Sequence, residues 1–135
     1  MEKRILRLLF PLTALALELL PKGAVLRFGN PDGAPWMGYY SYFSLIPFGY
    51  ANFGPLLTAV LTVVLLAVLA IAVFRPGRGL LLTAAILAAL GTLTSFLPLM
   101  FGLENYTAIG ACISAALLAE AVLCWYEVCR KKRTE

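Results

Sequence analysis

The sequence has no histidine, so the commonest general base and metal ligand is missing. Charge is scarce: Asp, Glu, Lys and Arg together make up 13%, about half the share of an ordinary soluble domain. Cysteine is scarce too. Cys112, Cys124 and Cys129 fall in the last apolar segment without C-x-x-C spacing, which argues against a zinc site or a dithiol redox pair and for inert, buried thiols. There is no Ser/His pair, no G-x-x-x-x-G-K and no G-x-S-x-G. No catalytic activity is expected of such a residue set, and no cofactor or metal is called for.

What the chain has in excess is apolar surface, 61% of residues with a mean hydropathy of +0.88. A chain of 135 residues has room for one domain, and a single small core could not hide so much of it. The lipid bilayer is the natural solvent. The net charge of +4 does not point to nucleic acid, because the basic residues stand at the ends of apolar runs instead of alternating with polar and aromatic ones along a groove.

Four apolar segments predict an all-α integral membrane protein, a four-helix transmembrane bundle formed by one domain over 1–135. The first helix is expected over 4–20, short for a span and broken by Pro21-Lys22-Gly23. Pro11 and Arg7 make a poor signal-peptide core, so this helix is expected to be retained. The second, over 55–74, carries no charge and matches the hydrocarbon thickness, with Pro55 in the first turn. "RPGRG" (75–79) reads as a tight basic turn. The third helix is expected over 80–101 with Pro98 kinking or ending it, and the fourth over 107–129, before "RKKR".

Charge sets the expected orientation. Nine of the eleven basic residues fall at the N-terminus, in the 75–79 turn or at the C-terminus, and only Lys22 and Arg27 lie opposite. By the positive-inside rule the protein is a multi-pass plasma-membrane protein with both termini cytoplasmic and loop 21–54 outward. Asn105-Tyr106-Thr107 matches a glycosylation pattern too short to carry weight, and the short loops suggest a bacterial protein.

Loop 21–54 is unusual. Asn30-Pro31-Asp32-Gly33 is a turn signal flanked by strand formers at 25–28 and 39–43, which predicts a small β-hairpin. The segment "YYSYFSLIPFGYANFGP" (39–55) follows, with seven aromatic residues in seventeen and no charge. Pro47, Gly49 and Gly54 rule out a span. The expected outward aromatic surface is Trp36, Tyr39, Tyr40, Tyr42, Phe43, Phe48, Tyr50 and Phe53, an interfacial collar leading into the second helix. Its residues 41–55, with the helix that follows to 74, resemble a segment of uncharacterised small four-helix membrane proteins of Gram-positive bacteria, a resemblance that implies no activity. The topology is also similar to the claudin layout, but Trp36 stands without the W-G-L-W-C-C signature, so no barrier role is carried over.

Two carboxylates lie inside apolar runs. Glu120 sits about 16 Å from the cytoplasmic edge by helix rise. Cys112, Ala116, Glu120 and Cys124 share its four-residue spacing, and an intramembrane carboxylate is a functional candidate by default. The plainer reading is a protonated Glu120 bonded across to Thr92, Thr94 or Ser95 that merely fixes packing. Glu18 is expected either at mid-bilayer or at the outer interface, paired with Lys22. Its place in the first helix is similar to that of the glutamate of small multidrug resistance transporters, which lack the 21–54 insertion. Glu127 and Lys131 form an expected i, i+4 pair. Small-residue stripes at Ala84, Ala88 and Thr92 and at Ala111, Ala115 and Ala119, with Gly110 and Ser114, predict close packing of the third and fourth helices. The second helix is then the element expected to face lipid or a partner.

The expected function is a non-enzymatic structural or accessory membrane protein. Its aromatic surface would contact the lipid interface, another membrane protein or a second copy. The alternative is a small oligomeric transporter or channel using Glu120 and Glu18.

Overall fold

The computed structural model describes residues 2–133. The chain is mostly helical, with one two-stranded antiparallel sheet. Among the described residues three helical segments are long and apolar enough to cross a membrane, Gly54–Phe74, Arg78–Phe101 and Ala108–Lys132.

The segment expected as a first spanning helix is divided into α1 (Glu2–Leu6) and α2 (Leu9–Glu18). Pro11 explains the break. Its nitrogen cannot donate to the carbonyl of Arg7 four residues back, and its ring crowds that carbonyl. The helical ladder therefore resumes only with Leu12 N–H on the Leu8 carbonyl, at 2.9 Å.

The hairpin is present. β1 (Ala24–Phe28) pairs with β2 (Trp36–Tyr40), in a register that sets Phe28 opposite Trp36 and Ala24 opposite Tyr40. β2 thus begins three residues before the expected position. Phe28 and Trp36 close the loop end of the ladder by stacking at 4.2 Å. Beyond Tyr40 the chain turns inward, and the Tyr42 N–H donates to the Glu18 carbonyl at 3.0 Å. The collar also contains a short helix, α3 (Leu45–Gly49), capped by Ser44, whose Oγ accepts the Ile46 N–H at 3.3 Å. Ala51, at φ 64°, turns the chain out of it.

α4 (Gly54–Phe74) starts as expected, with Pro55 in its first turn. α5 (Arg78–Ser95) stops where Pro98 removes the next donor, and the chain continues as a 3₁₀ turn over Leu97–Phe101 and a second over Leu103–Asn105. α6 (Ala108–Lys132) is capped by Thr107, whose Oγ1 accepts the Gly110 N–H at 2.9 Å. The same hydroxyl donates to the Gly23 carbonyl at 2.7 Å, so one threonine ties the hairpin to the start of α6.

α5 packs between α4 and α6, and α2 lies against both α6 and α4. The core is built of small side chains, with Ala14, Ala59, Ala84, Ala88, Ile113 and Leu117 all fully buried, which allows close approach of the helices.

Four packing expectations are corrected. Ala84, Ala88 and Thr92 are buried, whereas Ala111 and Ala115 are exposed and Ala119 is half-buried. α6 turns Ile113, Ser114, Leu117, Glu120 and Cys124 inward instead, since that face serves α2 as well as α5. Four-residue steps advance about 40° each, so Cys112 has rotated out of the Glu120 face and is exposed. Of the three cysteines only Cys124 is buried. Nor is α4 peripheral: it buries Thr58, Ala59, Thr62, Leu65 and Leu69, its threonines acting as the small residues of the contact.

Candidate functional site

The hairpin end of the molecule carries the aromatic collar. Trp36, Tyr39, Phe48, Tyr50 and Phe53 are exposed, and Tyr40 and Phe43 are half-buried. Four of them, Trp36, Tyr50, Phe48 and Phe53, enter ring contacts that form two groups. Phe28 stacks on Trp36 and meets Tyr50 edge-on at 5.2 Å, and Phe48 meets Phe53 edge-on at 5.0 Å. Tyr42 does not belong to this surface. It is 1% exposed, wedged against Gly23 and Gly110, because its backbone bond to Glu18 points the side chain into the core. Arg27 forms an ion pair with Glu104, joining β1 to the second 3₁₀ turn. Beneath the hairpin, Leu26, Phe28, Tyr50, Phe101, Asn105 and the buried Asn52 line a pocket of about 350 Å³.

Both carboxyl candidates, Glu18 and Glu120, are fully buried, and the structure keeps them apart, each in its own set of partners. The Thr62 hydroxyl donates to Glu18 Oε1 at 2.7 Å, which replaces the expected pair with Lys22. One turn earlier on α4, Thr58 bonds to Thr94 of α5 at 2.8 Å. A second polar contact joins α5 to α6, where the Ser95 and Ser114 hydroxyls meet at 2.7 Å and Tyr106 reaches Ser114, also at 2.7 Å. The Cys124 thiol of the same helix donates to Glu120 Oε1 at 3.0 Å. The expected bond from Glu120 to Thr92, Thr94 or Ser95 is not formed. Thr92 turns back to the Ala88 carbonyl, while Thr94 and Ser95 serve Thr58 and Ser114. Ser114 already occupies the α6 level opposite Ser95, and Glu120 lies six residues, about 9 Å, further along the helix. In both carboxyl groups Oε2 has no protein partner.

At the opposite end α1, the α4–α5 turn and the last turns of α6 enclose a pocket of about 680 Å³. Arg7, 9% exposed, forms an ion pair across the helices with Glu127 at its wall. The Arg4 guanidinium donates to the Val73 carbonyl at 3.5 Å. This pocket went unseen in sequence because its members are spread over three distant segments. The only signal was the recurrence of basic residues at each of them. Thr58 and Thr62 were likewise not legible as partners, and Ser95 meets Ser114 and not the expected Glu120, because sequence spacing does not say which hydroxyls meet across helices.

Among the described residues, no group of three or more His, Cys, Asp or Glu side chains converges as a metal site would. No protein-family model matches the chain, and no curated protein and no solved structure is detectably similar to it.

Proposed function

We propose that the chain is a non-enzymatic, multi-pass protein of the plasma membrane, structural or accessory in role. It crosses the bilayer four times with both termini cytoplasmic, and it presents the collar to the outer lipid interface or to a neighbouring membrane protein. One observation carries this reading, the segregation of side chains along the molecule. The basic N-terminus, α4–α5 turn and α6 end meet at one pole, and the hairpin and collar with exposed Trp36, Tyr39, Phe48, Tyr50 and Phe53 lie at the other. Exposed Phe74, Trp125 and Tyr126 stand near the basic pole, so aromatic side chains flank both ends. Between them Val60, Val63, Val64, Ile86, Leu90, Leu118 and Val122 are exposed apolar side chains on the three long helices, as lipid contact requires. α1 and α2 together span about 25 Å at helical rise, enough for a fourth crossing with local bilayer thinning. Tyr and Trp, with apolar rings and polar tips, suit the headgroup level.

A cysteine introduced at Gly33, on the hairpin loop, is expected to react with an impermeant reagent added outside intact cells. Photo-crosslinkers at positions 39 and 50 are expected to capture lipid or one discrete membrane protein, which a second copy of this chain would also satisfy. Labelling only after the membrane is opened from the cytoplasmic side would overturn the orientation. Absence of any adduct from both crosslinkers would overturn the contact role.

The unpartnered oxygens favour a second reading. A buried carboxyl oxygen without a donor is costly, and Glu18 and Glu120 each keep one, a state that a transported proton or cation would relieve. On this reading Glu120→Gln abolishes proton or cation flux in proteoliposomes while the helical content is unchanged. Undiminished flux rejects it.

A further inference from the structure

The pocket at the basic pole is built from more than a run of surface charge. Five basic side chains line it, Lys3, Arg4, Arg7, Arg130 and Lys131, against two acidic ones, Glu2 and Glu127, a net charge of +3. They come from α1, the segment joining it to α2, and α6, so donors approach the space from separate walls. Arg7 is held in place by its pair with Glu127, and Arg4 is tethered to the end of α4 through the Val73 carbonyl. The remaining wall is apolar, with Leu69 and Val73 from α4 and Leu81 from α5. One cavity therefore combines a cationic rim with a hydrocarbon lining that continues onto α4 and α5.

We propose that this pocket binds a phosphate group, supplied by the headgroup of an anionic phospholipid. Guanidinium forks suit phosphate oxygens, and two arginines on different helices can grip one phosphate from two directions. The apolar wall favours the lipid over free phosphate, since it accommodates the first methylenes of an acyl chain, which inorganic phosphate does not have. The location at the cytoplasmic headgroup level rests on the membrane reading above. Binding itself is measured in detergent, where failure of that orientation has no effect.

The test is native mass spectrometry of the full chain in a neutral detergent, titrated with phosphatidylglycerol or phosphatidylcholine. Phosphatidylglycerol is expected to be retained in preference. Arg4→Gln combined with Arg130→Gln is expected to weaken it about 30-fold, two basic residues at roughly 1 kcal/mol each. Lys132→Gln with Arg133→Gln, at the exposed end of α6 outside the pocket, is expected to change it little. Equal retention of the two lipids, or an equal loss in the tail variant, overturns the proposal. Displacement of the lipid by millimolar inorganic phosphate keeps the phosphate site and assigns it to a soluble ligand. A thermal shift of the unaltered chain, rising with phosphatidylglycerol and not with phosphatidylcholine, is expected whether or not the variants fold. Its absence also overturns the proposal.

Discussion

Tyr42→Ala is expected to lower stability by about 3–5 kcal/mol, the range for emptying a site filled by a large buried aromatic ring. Tyr42 is 1% exposed, and its ring atoms lie 3.1 Å from where a Cβ on Gly23 would stand. Its hydroxyl is equally close to the corresponding position on Gly110, so the ring bridges the end of the first helical segment, the hairpin and the start of α6. Burial, then the neighbouring Tyr106 and Glu18, push the phenol above its usual range, so the loss reflects packing and not charge. Thermal unfolding in detergent measures the effect, and amide exchange over 24–40 should accelerate as the hairpin loosens. Trp36→Ala removes a larger ring that is 54% exposed and is expected to cost far less. If the Trp36 variant proves the more damaging, Tyr42 is not the pin that holds the cap.

Gly54→Ala is expected to destabilise by about 1–3 kcal/mol through overpacking. A Cβ at Gly54 would stand 2.7 Å from the Thr94 carbonyl oxygen, 2.9 Å from Leu97 Cβ and 3.0 Å from Pro98 Cδ. The nearest of these is backbone, which cannot swing aside as a side-chain tip would. The Thr94 carbonyl is the one whose regular helical donor would have been the Pro98 nitrogen, and it accepts a capping N–H at the end of α5 instead, so α4 begins against a backbone carbonyl already fixed by its own hydrogen bond. Forcing the two helices apart there also strains the Thr58–Thr94 hydrogen bond one turn further on. Gly79→Ala is the internal contrast. Nothing lies within 4 Å of its added methyl, and in the first turn of α5 alanine is the better helix former by up to about 1 kcal/mol. Thermal scans of the two variants should therefore move in opposite directions. A Gly54 variant as stable as the parent would mean that α4 and α5 do not meet as described.

The elements that were legible in the sequence are those set by local chemistry. A charge-free run opening with Pro55 became α4, Pro98 ended α5, the run expected over 107–129 became α6, and Asn30-Pro31-Asp32-Gly33 turned the hairpin. Even the division of the first segment at Arg7 has a local cause in Pro11, one that the length of the apolar run obscured.

The candidate sites were only partly legible. Glu18 and Glu120 stood out because a carboxylate in an apolar run is conspicuous wherever it faces, yet their actual partners, Thr62 and Cys124, did not. Tyr42 has the same composition and neighbours as the exposed aromatics around it, and only its bond to the Glu18 carbonyl turns it inward. The inward face of α6 was missed for a related reason. In an ordinary amphipathic helix polarity marks the outer face, but on a helix apolar all round, lipid and protein interior reward the same side chains. What the sequence alone determined was therefore position along the chain and charge at each end, both one-dimensional quantities. Rotation about the helix axes, the burial of Tyr42 and the meeting of Arg4, Arg7 and Arg130 in one pocket belong to the tertiary structure, because each depends on which neighbour a side chain finds.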